Sequence, residues 1–292
     1  MFSGSLVAIV TPMRSDGAID FDAWARLIDF HAQNGTSGLI VGGTTGESAT
    51  LSDAELAQLT QRACTLARGR MAVIAGAGTS STAATVARVS WLSELPLAAL
   101  LLVTPAYNRP SQEGLYQHFA AAAAASAKPI VLYNVPARTA VDMQPPTVAR
   151  LSQVPGIVGI KEAVPAPERV RALVAACPPE FVVLSGDDAT AREVIHAGAR
   201  GVISVTANVA PRQMSQMVAA ALQGDRQRSQ GLDEALAGLH RDLFLEANPI
   251  PVKWLLTQMG LIPAGIRLPL TPLAEDYRAG VLAAARSAGI LG

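Results

Sequence analysis

Lysine is rare in this chain, and its placement is informative. Of 23 basic residues only Lys128, Lys161 and Lys253 are lysines; the remainder are arginines. Lys161 ends the apolar run Ile157-Val158-Gly159-Ile160, which has the length and composition of a strand covered on both faces. Burial disfavours an ammonium, and only the neutral amine attacks a carbonyl, so a lysine in this setting suits Schiff-base chemistry. An ion pair with Glu162 is the competing reading. Adjacent strand residues point to opposite faces, which argues against it. Lys128 and Lys253 flank helices and are expected to be solvated or at an interface.

Other reactive side chains cluster just past predicted strands. Two of the four tyrosines stand there, Tyr107 in Thr104-Pro105-Ala106-Tyr107-Asn108-Arg109 and Tyr133 in Tyr133-Asn134-Val135-Pro136-Ala137-Arg138-Thr139. A phenol both donates and accepts, so either tyrosine could relay a proton, or be a rim aromatic. Arg138 could clamp a carboxylate bidentately, or serve a structural salt bridge. Gly42-Gly43-Thr44-Thr45-Gly46-Glu47-Ser48 could offer N–H and hydroxyl donors to an anion, or be an ordinary strand-to-helix turn. Gly186 lets backbone approach a ligand. Asp187 and Asp188 read better as acids at a helix N-terminus than as a metal pair, since no third carboxylate joins them. Cys64 and Cys177 lie far apart, and the four histidines (His31, His118, His196, His240) show no paired spacing, so no zinc site is expected.

These residues need a frame. Eight short apolar runs, Leu6–Val10, Gly38–Val41, Ala72–Ala75, Ala98–Val103, Ile130–Tyr133, Ile157–Lys161, Val182–Ser185 and Gly201–Val205, recur in a regular rhythm. Helix-patterned stretches such as Asp20–Asn34, Ser52–Arg68, Thr82–Leu95, Ser111–Ala127 and Arg212–Gln223 separate them, with Ser52 and Ser111 as caps. Eight parallel strands joined by helices predict a closed (β/α)8 barrel, with its site at the C-terminal strand ends. A doubly wound sheet would want GxGxxG after the first strand, and none is present. After about residue 224 only helical patterns remain: Gln227–Glu246, Pro251–Met259 and Leu273–Ala288. The expected division is residues 1–224 as catalytic barrel and 225–292 as a C-terminal α-helical domain.

With 292 residues, half of them hydrophobic, the chain can bury a large core, and with aromatics at 4% that core must be aliphatic. Acids and bases both number 23. That balance offers no electrostatic footprint for nucleic acid or an anionic membrane. The most apolar run falls well short of the roughly 20 residues of a membrane span. The N-terminus lacks the basic and cleavage-site features of a signal peptide, so a cytoplasmic protein is expected.

Together the segments GSLVAIVTPM, GGTTGESATL, TPAYNRPSQEGLYQHF, YNVPART, GIKEA, LSGDDA, GVISVTANVAPR and NPIPVKW resemble the dihydrodipicolinate synthase and N-acetylneuraminate lyase superfamily almost end to end. The resemblance implies a TIM barrel with a helical C-terminal domain, assembled as a homotetramer, acting in lysine biosynthesis without metal or organic cofactor. By resemblance, Lys161 forms an imine with pyruvate, and Thr44, Tyr107 and Tyr133 relay protons, with Tyr107 reaching across a subunit interface. Thr45 binds the pyruvate carboxylate and Arg138 that of L-aspartate 4-semialdehyde. Gly186 and Ile203 line the pocket with backbone.

Two departures stand out. Ala140 replaces a glycine after the Arg138 segment, which matters if that position needs positive φ. Lysine-inhibited members hold lysine with two His, an Asn, a Glu and a Tyr around a Ser-Ala pair. Here Ser48 and Ala49 survive, while Asp53, Leu56, Ser80, Ala84 and Ala106 fill the other places, so weak or absent lysine inhibition is expected. A sugar-acid lyase would share Lys161 and the glycine-rich turn but generally lacks an arginine at position 138. A non-catalytic pyruvate-binding barrel would be expected to have lost part of the Lys161, Tyr133, Thr44 and Tyr107 set.

Overall fold

A computed structural model describes residues 2–292. Eight strands, β1 Gly4–Ala8, β2 Gly38–Val41, β3 Ala72–Gly76, β4 Ala99–Val103, β5 Ile130–Asn134, β6 Ile157–Glu162, β7 Val182–Ser185 and β8 Gly201–Ser204, close in sequence order into a parallel barrel. β1 meets β8 with Leu6 opposite Ile203. The helices are α1 Phe21–Gln33, α2 Asp53–Leu66, α3 Thr82–Leu92, α4 Gln112–Ala124, α5 Pro136–Thr139, α6 Pro145–Leu151, α7 Pro167–Ala176, α8 Ala191–His196, α9 Pro211–Leu222, α10 Arg226–Asp242, α11 Ile250–Gln258 and α12 Glu275–Ser287.

Local chemistry accounts for the helix starts. Ser52 and Glu55 form a reciprocal capping box on α2, and Ser111 accepts from the Gly114 N–H at the start of α4. Proline stands in the first turn of α5, α6, α7, α9 and α11, where its missing N–H leaves no bond unmade. The first strand begins two residues earlier than the apolar run suggests and ends at Ala8. Beyond it, the Val10 N–H is taken by the side chain of Asn208 rather than by the sheet.

Two apolar layers result. Leu6, Ala8, Ile40, Ile74, Leu101, Val131, Tyr133, Leu184 and Ile203 fill the barrel interior, while Val7, Leu39, Val41, Leu100 and Leu132 face the helices. With both strand faces buried, the strands read as continuous apolar runs.

One strand breaks step. On β5 and β6, Ile130 pairs with Ile157 but Val131 pairs with Gly159, so Val158 is an extra, bulged residue. Ile157 and Ile160, an odd number of residues apart, therefore both face the helices. Past the bulge the phase is reversed, and Lys161 turns into the barrel.

The turn between α9 and α10, with Gly224 at φ +78°, is where the chain leaves the barrel rhythm. Leu236, Leu239, Val252, Leu255 and Val281 from beyond it share one apolar core with the barrel helices. Lys253 corrects the sequence expectation: it is neither solvated nor merely flanking but buried in α11, ion-paired with the buried Glu47 of the β2–α2 turn. Burial holds the Lys253 ammonium below the ordinary lysine range, against the pull of Glu47. Removing one partner of a buried pair leaves an uncompensated charge at a cost of about 3–5 kcal/mol. Lys253→Met is expected to lower the unfolding free energy measured in urea by that amount, and Lys253→Met with Glu47→Gln to recover most of it.

Candidate active site

Lys161 and Tyr133 are direct neighbours on β6 and β5. Both are buried at the C-terminal end of the barrel, and the Lys161 Nζ stands 4.3 Å from the Tyr133 ring centroid. Glu162, the next residue, lies on the outer face as strand alternation requires. It accepts from the Asn134 amide at 3.1 Å and the Val164 N–H at 2.9 Å. Burial pushes its carboxyl up to about 7, against those hydrogen bonds and the charge of Arg169, which lower it. Glu162 is thus a support behind the strand and does not pair with Lys161.

Gly186 explains itself by what a side chain would meet. A Cβ there would lie 3.0 Å from Lys161 Cε and 2.8 Å from Ala163 Cβ, so only glycine leaves the lysine its channel. Ile203 sits fully buried on β8 in the inner apolar layer. Asp187 accepts from the N–H and hydroxyl of Thr190 ahead of α8. Asp188 corrects the simple reading of a cap on its own helix: it takes the backbone N–H groups of Val205 and Thr206, tying the end of β7 to the end of β8. Among the described residues, no three His, Cys, Asp or Glu side chains are gathered as a metal ion would need.

The cavity over Lys161 has about 610 Å³ of empty space, part of it open to solvent. Thr44, Thr45, Tyr133 and Lys161 line it together with Ser48, Leu51, Leu56, Gly78 and Arg88. The turn from Gly42 to Ser48 is its wall. Gly42 has φ +63°, and a Cβ on Gly76 would lie 2.2 Å from the Gly42 carbonyl oxygen, so both glycines are needed for β2 and β3 to bring the turn this close. The C-terminal helices hold that turn from outside. Asn248 donates to Thr45 Oγ1 at 2.9 Å, and Glu47, itself at φ +59°, binds Lys253 and the Arg267 N–H.

Tyr107 and Arg138 are not in this cavity. Tyr107 is 96% exposed at φ +73°, which excludes a half-buried rim aromatic and keeps its hydroxyl out of its own barrel. Arg138 is exposed on α5, makes no ion pair among the described residues, and donates to the Asn248 carbonyl at 3.4 Å. Ala140 does occupy the left-handed region, at φ 56°, where glycine would be unstrained. Among the described residues, the four non-glycine residues with positive φ (Glu47, Tyr107, Arg109, Ala140) lie in the loops that follow β2, β4 and β5. Such strain, of order 1–3 kcal/mol each, gathers at working sites.

Of the residues compared with a lysine cleft, Ser48 and Leu56 line the cavity, and Asp53 pairs with Arg88 at 2.7 Å. The Ser80 hydroxyl donates to the Ala106 carbonyl, so its role is to hold the loop after β4. Ala49 and Ala84 are exposed methyl groups. Sequence reading missed Arg88 and Asn248. Asn248 stood in a quoted motif without a role, and Arg88 has the spacing of an ordinary solvated helix position.

Fold and pocket define a class: barrel lyases that form a Schiff base with a carbonyl substrate. The chain belongs to the Dihydrodipicolinate synthetase family, whose profile matches residues 1–288. It is 51% identical over 291 residues, all of both chains, to the 4-hydroxy-tetrahydrodipicolinate synthase of Methylococcus capsulatus. Its structure matches the chloride-inhibited dihydrodipicolinate synthase of Acinetobacter baumannii, solved with pyruvate, at TM-score 0.98 and 48% identity over all of both chains. It also matches a monomeric dihydrodipicolinate synthase variant at TM-score 0.97 and 40% identity, covering 99% of this chain and 98% of that one.

Gly186→Ala is expected to fold normally but to slow borohydride-trapped imine formation by roughly a hundredfold, since displacing a reacting group by about 1 Å has that effect. An unchanged trapping rate would show that Lys161 does not need the space.

Proposed function

We propose that the chain condenses pyruvate with L-aspartate 4-semialdehyde to give 4-hydroxy-tetrahydrodipicolinate, the first committed step of lysine biosynthesis through diaminopimelate. The observation that carries this reading is the amine of Lys161, buried among the inner ends of the strands beside Tyr133. The neutral amine adds to the pyruvate C2 carbonyl, and water leaves as the imine forms. The imine draws electrons from the methyl group, which loses a proton and becomes an enamine. The enamine attacks the aldehyde. The amino group of the second substrate then adds to the imine carbon and displaces Lys161, closing the ring and freeing the lysine.

Thr44 and Tyr133 carry protons in this scheme, and Thr45 holds the pyruvate carboxylate, its hydroxyl already oriented by Asn248. Arg138 binds the carboxylate of the aldehyde at the mouth, and the backbone of Gly186 and Ile203 lines the channel. Tyr107 completes the relay of a neighbouring subunit in a homotetramer. Its near-total exposure in a strained conformation supports that, because a lone chain has no use for either. No helix is long and apolar enough to cross a membrane, and Cys64 and Cys177 are free thiols, which suits a cytoplasmic reaction.

Arg88 adds a reason for weak lysine inhibition that the sequence comparison lacked. The cavity lining already includes a guanidinium and lacks the aromatic and acidic contacts of inhibited members, each worth roughly 1–3 kcal/mol.

Incubation with pyruvate and borohydride is expected to add one pyruvate-derived group per chain, at Lys161, and Lys161→Ala to abolish the adduct without unfolding. An adduct on Lys128 or Lys253 would overturn the assignment. Initial rates at subsaturating pyruvate are expected to be insensitive to sub-millimolar lysine; half-inhibition in that range would mean that Asp53 and its neighbours have rebuilt the lysine site.

A further inference from the structure

Behind Tyr133 and Lys161, on the outward face of the same two strands, Asn134 stands opposite Glu162. Asn134 is fully buried, and both polar atoms of its side chain are engaged. Its Nδ2 donates to the two Glu162 oxygens at 3.1 Å and to Asp142 Oδ1 at 2.8 Å, while its Oδ1 accepts from the Met143 N–H at 3.0 Å. Asp142 and Met143 lie eight and nine residues further along the chain. The Asn134 side chain therefore closes the segment after β5 on itself, and α5 with Arg138 lies inside the closed loop. Arg169 of α7 holds the far side, bonding to Asp142 and to the Met143 carbonyl. The closed loop carries backbone strain: Ala140 is at φ 56°, a conformation that persists only where the surroundings impose it. Further ties reach the loop from the segment after β4, Thr104 Oγ1 to Thr139 Oγ1 at 3.1 Å and Arg109 Nε to the Ala140 carbonyl at 3.2 Å. Among the described residues the Arg138 guanidinium has one hydrogen bond, to the Asn248 carbonyl at 3.4 Å. Its place is thus set by the loop that carries it.

We propose that Asn134 is a positioning residue for the second substrate: it clasps the Arg138 loop to the Glu162 face of β6 and so fixes that arginine relative to the Lys161 amine. Glu162 and Lys161 are consecutive, so the anchor of the clasp and the amine keep one geometry. The residue type follows from the partners. Two carboxylates need donors and one N–H needs an acceptor, and a primary amide supplies both within one short side chain. Aspartate would keep the shape but set a third acid between Glu162 and Asp142, with Arg169 their one cation. The proposal rests on Arg138 binding the carboxylate of the aldehyde.

The test compares Asn134→Ala, Arg138→Ala and the double variant in initial rates against the aldehyde and in borohydride trapping of pyruvate. Asn134→Ala is expected to raise the KM for the aldehyde by roughly tenfold, the scale of a misplaced charge-assisted bond. Trapping of pyruvate at Lys161, which does not involve Arg138, is expected to change little. In the Arg138→Ala background, Asn134→Ala is expected to add nothing to the KM, because two changes that act through one group are not additive. Lost packing alone would lower stability in urea and leave the KM of the folded enzyme where it was. Should Asn134→Ala not fold, Asp142→Ala, at a side chain 29% exposed, opens the same clasp from its other end. It is expected to raise the aldehyde KM in the same Arg138-dependent way. An unchanged aldehyde KM, trapping slowed to the same degree, or an additive effect in the double variant would overturn the proposal. If Arg138→Ala itself leaves the aldehyde KM unchanged, the carboxylate reading falls and this proposal with it. A raised KM there beside an unchanged one in Asn134→Ala overturns this proposal alone.

Discussion

Closing eight strands into a barrel leaves the interior room for a few layers of side chains, and one residue of phase in β6 decides what stands in the upper layer. Were Val158 paired in regular alternation rather than bulged, Lys161 would share the outward face of Ile157 and Glu162 would point inside. With the bulge, the amine enters the barrel next to Tyr133 and the carboxylate goes outward to Asn134 and the Val164 N–H. Glycine makes this possible twice. A Cβ at Gly159 would lie 2.5 Å from the Val182 carbonyl oxygen, and one at Gly186 would press on the lysine itself. The chemistry depends on a local irregularity that the flanking strands and two glycines accommodate.

The C-terminal helices work at the other side of the same site. A turn rich in glycine has little stiffness of its own, and here its stiffness is supplied from outside, by Asn248 on Thr45 and by Lys253 and Arg267 on Glu47. The Arg267 guanidinium also binds Glu55, whose carboxyl it holds at about 2, so the turn and the start of α2 are fixed as one unit. Hydroxyls that are to meet a carboxylate gain from being held in place beforehand, because the ordering cost is met in folding rather than in binding.

Much of the frame was legible in the residues. The apolar runs end within two residues of the strands, because parallel strands covered on both faces cannot tolerate polar interruptions. The caps at Ser52 and Ser111 were readable because a capping hydroxyl and its backbone partner are only three residues apart. The histidine partners were only partly within reach of such reading: His31 bonds to nearby Thr36, but His118, His196 and His240 bond to Thr82, Ser229 and Thr206 on other elements. Long-range partners were not readable. Lys253 looked solvated because its partner Glu47 is some two hundred residues away, and Arg88 looked like a surface residue because its unpaired Nε is a property of the cavity.

The order of strands and helices, the scarcity of lysine that singled out Lys161, and the family to which the motifs belong could all be read from the residues alone. Those are properties of residue type and near-neighbour spacing, and they survive without coordinates. The direction of Lys161, the departure of Tyr107 from its own barrel and the guanidinium in the cavity lining depend on the folded chain. Each of these follows from a bulge, a positive φ or a contact between distant segments, and such features arise from how strands and helices press on one another once the barrel has closed.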